Sequence, residues 1–282
     1  MAKTVAEIRN MKDEGRKISM VTSYDFSMAV LAERAGIDFI LVGDSLGMTM
    51  LGYENTLPVT MDDMVHHTAC VTRGARNTVV VGDMPFGSYH ASVEDAVRNA
   101  LRLVKEGGAT AIKLEGGVRV APHIKAIVES SIPVQGHVGM TPQSSNMYGG
   151  FKVQGKTADS AKLIVEDALA VQDAGAFSVV IECVPPNLAA YITKLLDIPT
   201  IGIGAGAECD GQVLVAQDML AMNMDFRPRF ARHFGQIGQG MIDAYQAYDN
   251  EVKAGTFPAE AENYKALDDS IMAQIEQAYP LR

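Results

Sequence analysis

The chain has 282 residues, 48% of them apolar, with 24 Lys and Arg against 34 Asp and Glu and a formal charge of −10. That balance argues against a nucleic-acid partner, because phosphate binding needs clustered Lys and Arg. It also means that an anionic substrate needs a metal or a placed lysine. No run reaches the ~18 apolar residues of a membrane span, and MAKTVAEIRN at the start has no secretory apolar stretch. Cys70, Cys183 and Cys209 form no CxxC pair, so free thiols in a cytoplasmic protein are expected.

In chain order, residues 4–14 read as a short helix closing the bottom of a barrel. Eight apolar, β-branched-rich runs then predict strands at 17–22, 37–43, 78–83, 109–115, 132–137, 177–182, 199–203 and 212–216. Helix-period segments separate most of them. The clearest spans 92–106, with Val93, Ala96, Val97, Ala100, Leu101 and Val104 on one face, Ser92 with Asp95 as a cap, and Gly107 as a stop. A second carries Ala161, Ile164, Val165, Ala168 and Val171 and ends at Gly175. Fainter ones cover 27–35, 61–75, 119–130 and 187–196. This alternation predicts an α/β fold, a (β/α)8 TIM barrel with extra N- and C-terminal helices; an open doubly wound sheet is the alternative. The long connections 45–60 and 138–156 follow strands and are expected on the catalytic face. From Asp225 the tail reads as helices over 236–254 and 260–279, broken by Gly255 and Pro258, and is taken as part of a single domain, 1–282.

Four carboxylates stand at strand exits: Asp44 after IDFILVG, Asp83 after TVVVG, Glu115 in TAIKLE and Glu182 in FSVVIE. Acids at successive strand ends are how a parallel barrel assembles an active site. Strand parity puts Lys113 and Glu115 inward, with Ile112 and Leu114 facing the outer helices. It likewise aligns Asp83 with Val79 and Val81, and Glu182 with Ser178 and Val180. Lys113 with Glu115 also reads as an internal salt bridge, and Asp44 as a helix cap. Four inward acids against one evident lysine predict a divalent cation. Oxygen donors without clustered His or Cys favour Mg2+, and Mn2+ also fits. His66 and His67 are adjacent on a predicted helix and diverge, so they are not read as a zinc pair. His137 ends the fifth strand, as a substrate contact or as a hydrogen-bonded structural residue. GIGAG at 202–206 formally fits GxGxxA with Ala207, but no amphipathic helix opens after it, so no dinucleotide site is expected.

The motifs VGDSLGM (42–48), TLPVTMDDM (56–64), GDMPF (82–86), KLEGG (113–117), GHVGMTPQS (136–144), IECVP (181–185), GIGAG (202–206) and CDGQVLV (209–215) occur in this order. Together they make the chain resemble the ketopantoate hydroxymethyltransferases from about residue 3 to Pro258. The resemblance implies transfer of a hydroxymethyl group from 5,10-methylenetetrahydrofolate to 3-methyl-2-oxobutanoate, giving 2-dehydropantoate for pantothenate and coenzyme A synthesis, through a Mg-stabilised enolate. It implies Asp44, Asp83 and Glu115 as metal residues and Glu182 as general base. Substrate contacts are implied at Asp44, Ser45, Asp83, Lys113 and His137. Partners are then the 2-oxo acid, the folate and further copies of the chain, commonly as a decamer. Ser23 in TSYDF and GSY after GDMPF depart from the family pattern and are expected to affect loop detail alone. Three rivals remain: a Mg-dependent lyase or mutase of the phosphoenolpyruvate-mutase and isocitrate-lyase type, a Schiff-base aldolase using Lys113, and a scaffold without turnover.

Overall fold

The structure, a computed structural model, describes residues 3–281. Eight parallel strands close in sequence order into a barrel. They are β1 Ile18–Thr22, β2 Phe39–Val42, β3 Val79–Asp83, β4 Ala111–Lys113, β5 Val134–Gly139, β6 Ser178–Glu182, β7 Thr200–Ile203 and β8 Gly211–Leu214. Every predicted strand is present, and the open-sheet alternative is set aside by the β1–β8 pairing, Ile18 opposite Gly211 through Val21 opposite Leu214. Several boundaries move by one or two residues, and two of the shifts have a visible cause. β4 stops at Lys113 because the Glu115 amide donates to the Tyr89 hydroxyl (3.2 Å) instead of continuing the ladder. β5 runs on to Gly139, paired with Glu182.

Helices Phe26–Arg34, Met61–Gly74, Val93–Lys105, Ala121–Glu129, Ala158–Asp173 and Pro186–Leu195 fill six of the connections. Their starts follow from local chemistry: the Ser92 side chain accepts from the Asp95 amide, and Thr60 with Asp63 forms a reciprocal box that satisfies orphan amides. Between β7 and β8 the chain turns through Gly204 (φ 63°) and Gly206 (φ 90°) with no helix, as GIGAG led us to expect.

Strand parity divides the core into two layers. Ile112, Leu114, Val179 and Ile181 pack outward against the helices. Phe39, Val79, Val81, Ala111 and Val180 fill the barrel. Helix Val5–Asp13, started by a Thr4–Glu7 capping box, inserts Ile8 and Met11 into that inner layer beside Ile18 and Phe177, where the strands begin. The acids therefore stand at the opposite end from this plug.

The chain divides into two compact units, Met1–Gly235 and Gln236–Arg282. The second unit carries helix Ile237–Ala254, a short turn at Glu260–Glu262 and helix Asp269–Ala278. The expected helix 260–279 thus loses its first half. Asp268 in an extended conformation restarts the chain as a helix, with Asp269 placed favourably in its first turn. Among the described residues no helix is long and apolar enough to cross a membrane.

Ile8 is fully buried, so Ile8→Ala removes a methylene-rich side chain from the plug. Denaturant unfolding is expected to show a loss of about 2–5 kcal/mol. A loss under about 0.5 kcal/mol would mean that the plug does not close the barrel core.

Candidate active site

The exits of β2 to β6 deliver ionisable side chains to the barrel mouth. Asp83 and Lys113 end β3 and β4 and are register partners. Asp44 and Glu115 follow β2 and β4 by two residues, His137 lies in β5, and Glu182 ends β6. Asp44, Asp83, Lys113, Glu115 and His137 are each at most 5% exposed. Glu182, with its side chain 14% exposed, is the most accessible of the acids in this cluster.

Contacts join them into one network. Lys113 Nζ is 2.8 Å from Asp83 Oδ1 and 3.7 Å from Glu115 Oε1. Asp83 Oδ2 accepts the Asp44 backbone amide at 3.2 Å. His137 Nδ1 lies 3.5 Å from Glu115 Oε1, and its Nε2 lies 3.2 Å from Glu182 Oε2. The internal salt bridge read from the sequence is therefore present, with Asp83 as the closer partner. His137 supplies a second cation that residue counting overlooked.

Backbone geometry fixes the end of β6. Gly139 adopts φ +93°, and a Cβ there would stand 2.4 Å from the Glu182 carbonyl oxygen, which also accepts the Met140 amide at 2.9 Å. Cys183, directly after Glu182, is a non-glycine residue at φ 47°. Such backbone costs on the order of 1–3 kcal/mol and gathers at functional sites. Here it turns the chain away while Glu182 stays at the mouth.

Burial dominates the electrostatics. It pushes the Asp44 carboxyl well above the usual range, helped by the nearby charges of Asp83 and Glu115. Burial also raises Asp83, although Lys113 opposes it. Burial opposes charge on Lys113 too, yet Asp83, Glu115 and Asp44 together raise its pKa. A lysine held as its cation cannot act as an amine nucleophile, which disfavours the Schiff-base reading. For His137, burial and the Lys113 charge oppose protonation, but Glu115 and Glu182 overcome both and raise it to about 9.

Three participants escaped the sequence reading. Gln143 donates from Nε2 to Asp44 Oδ2 (2.9 Å) and to the Met84 carbonyl (2.9 Å), and from its backbone to Glu115 Oε2 (3.0 Å). The Tyr89 hydroxyl donates to Gln143 Oε1 at 2.7 Å. Tyr89 belongs to the GSY segment, so that departure reaches the main chain of Glu115 and is more than loop detail. Tyr24 Oη lies 2.9 Å from Ser45 Oγ, and its carbonyl meets His67 Nδ1 at 2.7 Å. Ser45 therefore stands beside Asp44 on Tyr24, outside the ionic network as described.

Among the described residues no three His, Cys, Asp or Glu side chains close into a ready-made metal cage. The expected carboxylate trio does gather, but Lys113 lies against two of its members and Gln143 spans Asp44 and Glu115. The donors still suit a hard divalent cation, which takes one or two carboxylates and completes its shell with water and substrate. Asp83 Oδ1 has the Lys113 ion pair but no well-aligned hydrogen bond. Burial and mutual repulsion raise Asp44 even with Lys113 beside the cluster, and a bound divalent cation would relieve that repulsion.

A family model described as ketopantoate hydroxymethyltransferase matches residues 2–260. A 3-methyl-2-oxobutanoate hydroxymethyltransferase of Clostridium novyi is 56% identical, covering 98% of this chain and 100% of its own. One from Acetivibrio thermocellus is 54% identical over 97% of this chain and 96% of its own. Among solved structures, a phosphoenolpyruvate phosphomutase from Streptomyces platensis aligns with TM-score 0.62 at 15% identity, covering 98% of this chain and 94% of its own. A 2,3-dimethylmalate lyase aligns with TM-score 0.59 at 15% identity over 98% and 95%. At such identities these two share the barrel and nothing finer. The chain belongs to the ketopantoate hydroxymethyltransferase family and is an enzyme of hydroxymethyl transfer.

Proposed function

We propose that the chain transfers a hydroxymethyl group from 5,10-methylenetetrahydrofolate to 3-methyl-2-oxobutanoate, giving 2-dehydropantoate on the route to pantothenate. The observation that carries this reading is Glu182 at the barrel mouth, 3.2 Å from His137 Nε2, with His137 Nδ1 3.5 Å from the buried Glu115 carboxylate. The names of relatives at 54–57% identity support the choice of acceptor. They also weigh against the lyase or mutase alternative, which shares the barrel alone.

Asp44, Asp83 and Glu115 are the residues that would hold a divalent cation, Mg2+ or Mn2+. When bound, that ion supplies positive charge to the oxygens of the 2-oxo acid as the enolate develops, several kcal/mol of stabilisation. Lys113 adds a fixed cation next to Asp83, and Ser45, braced by Tyr24, offers a hydroxyl to the substrate. Glu182 takes the C3 proton. His137 contacts Oε2 of that carboxylate, leaving Oε1 for the proton. Water adds to the donor's methylene carbon and tetrahydrofolate leaves, giving formaldehyde. The C3–H electron pair then forms the bond to that carbon, and its carbonyl oxygen takes up a proton as the new hydroxyl. Free Cys70, Cys183 and Cys209 suit a reducing cytoplasm.

The second unit carries exposed Ile237, Met241, Tyr245, Tyr248 and Val252, spaced so that they share one helix face. We assign this stripe to contact between copies of the chain.

Glu182→Gln is expected to lower deuterium exchange at C3 of 3-methyl-2-oxobutanoate by roughly 10²–10⁴-fold while the acid still binds. Exchange at the wild-type rate would remove Glu182 from the base role. Chelation is expected to abolish exchange in the wild type, with recovery on adding Mg2+ or Mn2+. Persistence of exchange in chelator would discard the cation. Sedimentation of the full chain should give a multimer that Tyr245→Glu with Tyr248→Glu dissociates; a monomeric wild type refutes the stripe's assignment.

A further inference from the structure

Gln143 bonds through its backbone amide and both side-chain polar atoms, two of these contacts reaching the acids Glu115 and Asp44. It sits second in the turn Pro142–Ser144, where an amide has no acceptor within the turn, and that amide goes to Glu115 Oε2 at 3.0 Å. Both side-chain N–H groups are used, one on Asp44 Oδ2 and one on the Met84 carbonyl, each at 2.9 Å. The Met84 carbonyl can only accept, so the amide has one permitted orientation. Tyr89 then closes the remaining oxygen at 2.7 Å while its own hydroxyl accepts the Glu115 amide at 3.2 Å. The residue is 4% exposed, so these bonds have no water to replace them.

The consequence concerns which oxygens face the centre. Asp44 Oδ2 and Glu115 Oε2 are occupied by Gln143, leaving Asp44 Oδ1 and Glu115 Oε1 clear of it. Glu115 Oε1 is the oxygen turned to Lys113 and His137. Asn at this position is one methylene too short to span both acids. Glu would set a third carboxylate against Asp44.

We propose that Gln143 is a positioning residue, locked by Tyr89, that orients the Asp44 and Glu115 carboxylates for a divalent cation. This rests on the metal reading above. Residues that orient ligating groups typically change metal affinity or activity by 10–100-fold when removed.

The test is Mn2+ binding by titration calorimetry to the full chain, with C3 exchange measured in parallel. Gln143→Met keeps the length and removes both side-chain donors. Its Mn2+ dissociation constant is expected to rise roughly 10–100-fold, with exchange falling in step at subsaturating metal. Tyr89→Phe frees the amide and should shift affinity the same way but less, and less again when added to Gln143→Met. If Gln143 merely anchors its loop, Gln143→Met lowers the thermal midpoint and leaves Mn2+ affinity within about twofold, which overturns the proposal. Should Gln143→Met fail to fold, unchanged affinity in Tyr89→Phe overturns it instead. A wild type that binds no Mn2+ overturns the metal reading and this inference with it; a binding wild type matched by both variants overturns this inference alone.

Discussion

Asp44, Asp83 and Glu115 are withdrawn almost wholly from water within one cluster, and the repulsion among them is what the mouth of this barrel must resolve. An isolated buried carboxylate is very costly, so such groups pair, coordinate or take up a proton. The chain resolves part of the problem internally. Lys113 sits on Asp83, His137 reaches Glu115 and Glu182, and Gln143 caps one oxygen each of Asp44 and Glu115. What is left over falls on Asp44, whose carboxyl rises well above its usual range. A divalent cation would complement that residue of charge, and under the proposed function it would also face the 2-oxo acid as its enolate forms.

Removing one partner from such a network leaves the others exposed to its charge. Breaking a buried ion pair from one side is far more damaging than replacing both sides. The centre is therefore coupled, and affinity for metal, the charge on His137 and the orientation of Glu182 belong to one arrangement. Glu182 is the member with some access to solvent, as the proposed base role requires.

Much of this was legible in residue order. Period-two alternation placed Ile112 and Leu114 outward and Lys113 inward, and the apolar runs gave each strand's exit, so the acids could be mapped before any contact was known. The fold followed because parity and strand–helix alternation are local signals. Gln143 and Tyr89 were not legible because they act from connections outside the strands and helices, where neither period applies and a polar residue reads as solvated. The one hint was that each lay beside a motif, Gln143 inside GHVGMTPQS and Tyr89 three residues past GDMPF. The early end of β4 had the same cause, since a side chain 26 residues away took the Glu115 amide. Similarly, the stretch 260–279 read as one helix because nothing between Glu262 and Asp268 breaks the pattern outright.

The central claim is spatial and electrostatic, and diffraction from crystals soaked in Mn2+ tests it without reference to turnover. An anomalous peak is expected within ligating distance of the Asp44 and Asp83 carboxylates, with Glu115 adjoining and Lys113 Nζ drawn back from Asp83. Mn2+ bound elsewhere, with Lys113 still paired to Asp83 and this centre empty of density, would contradict the account.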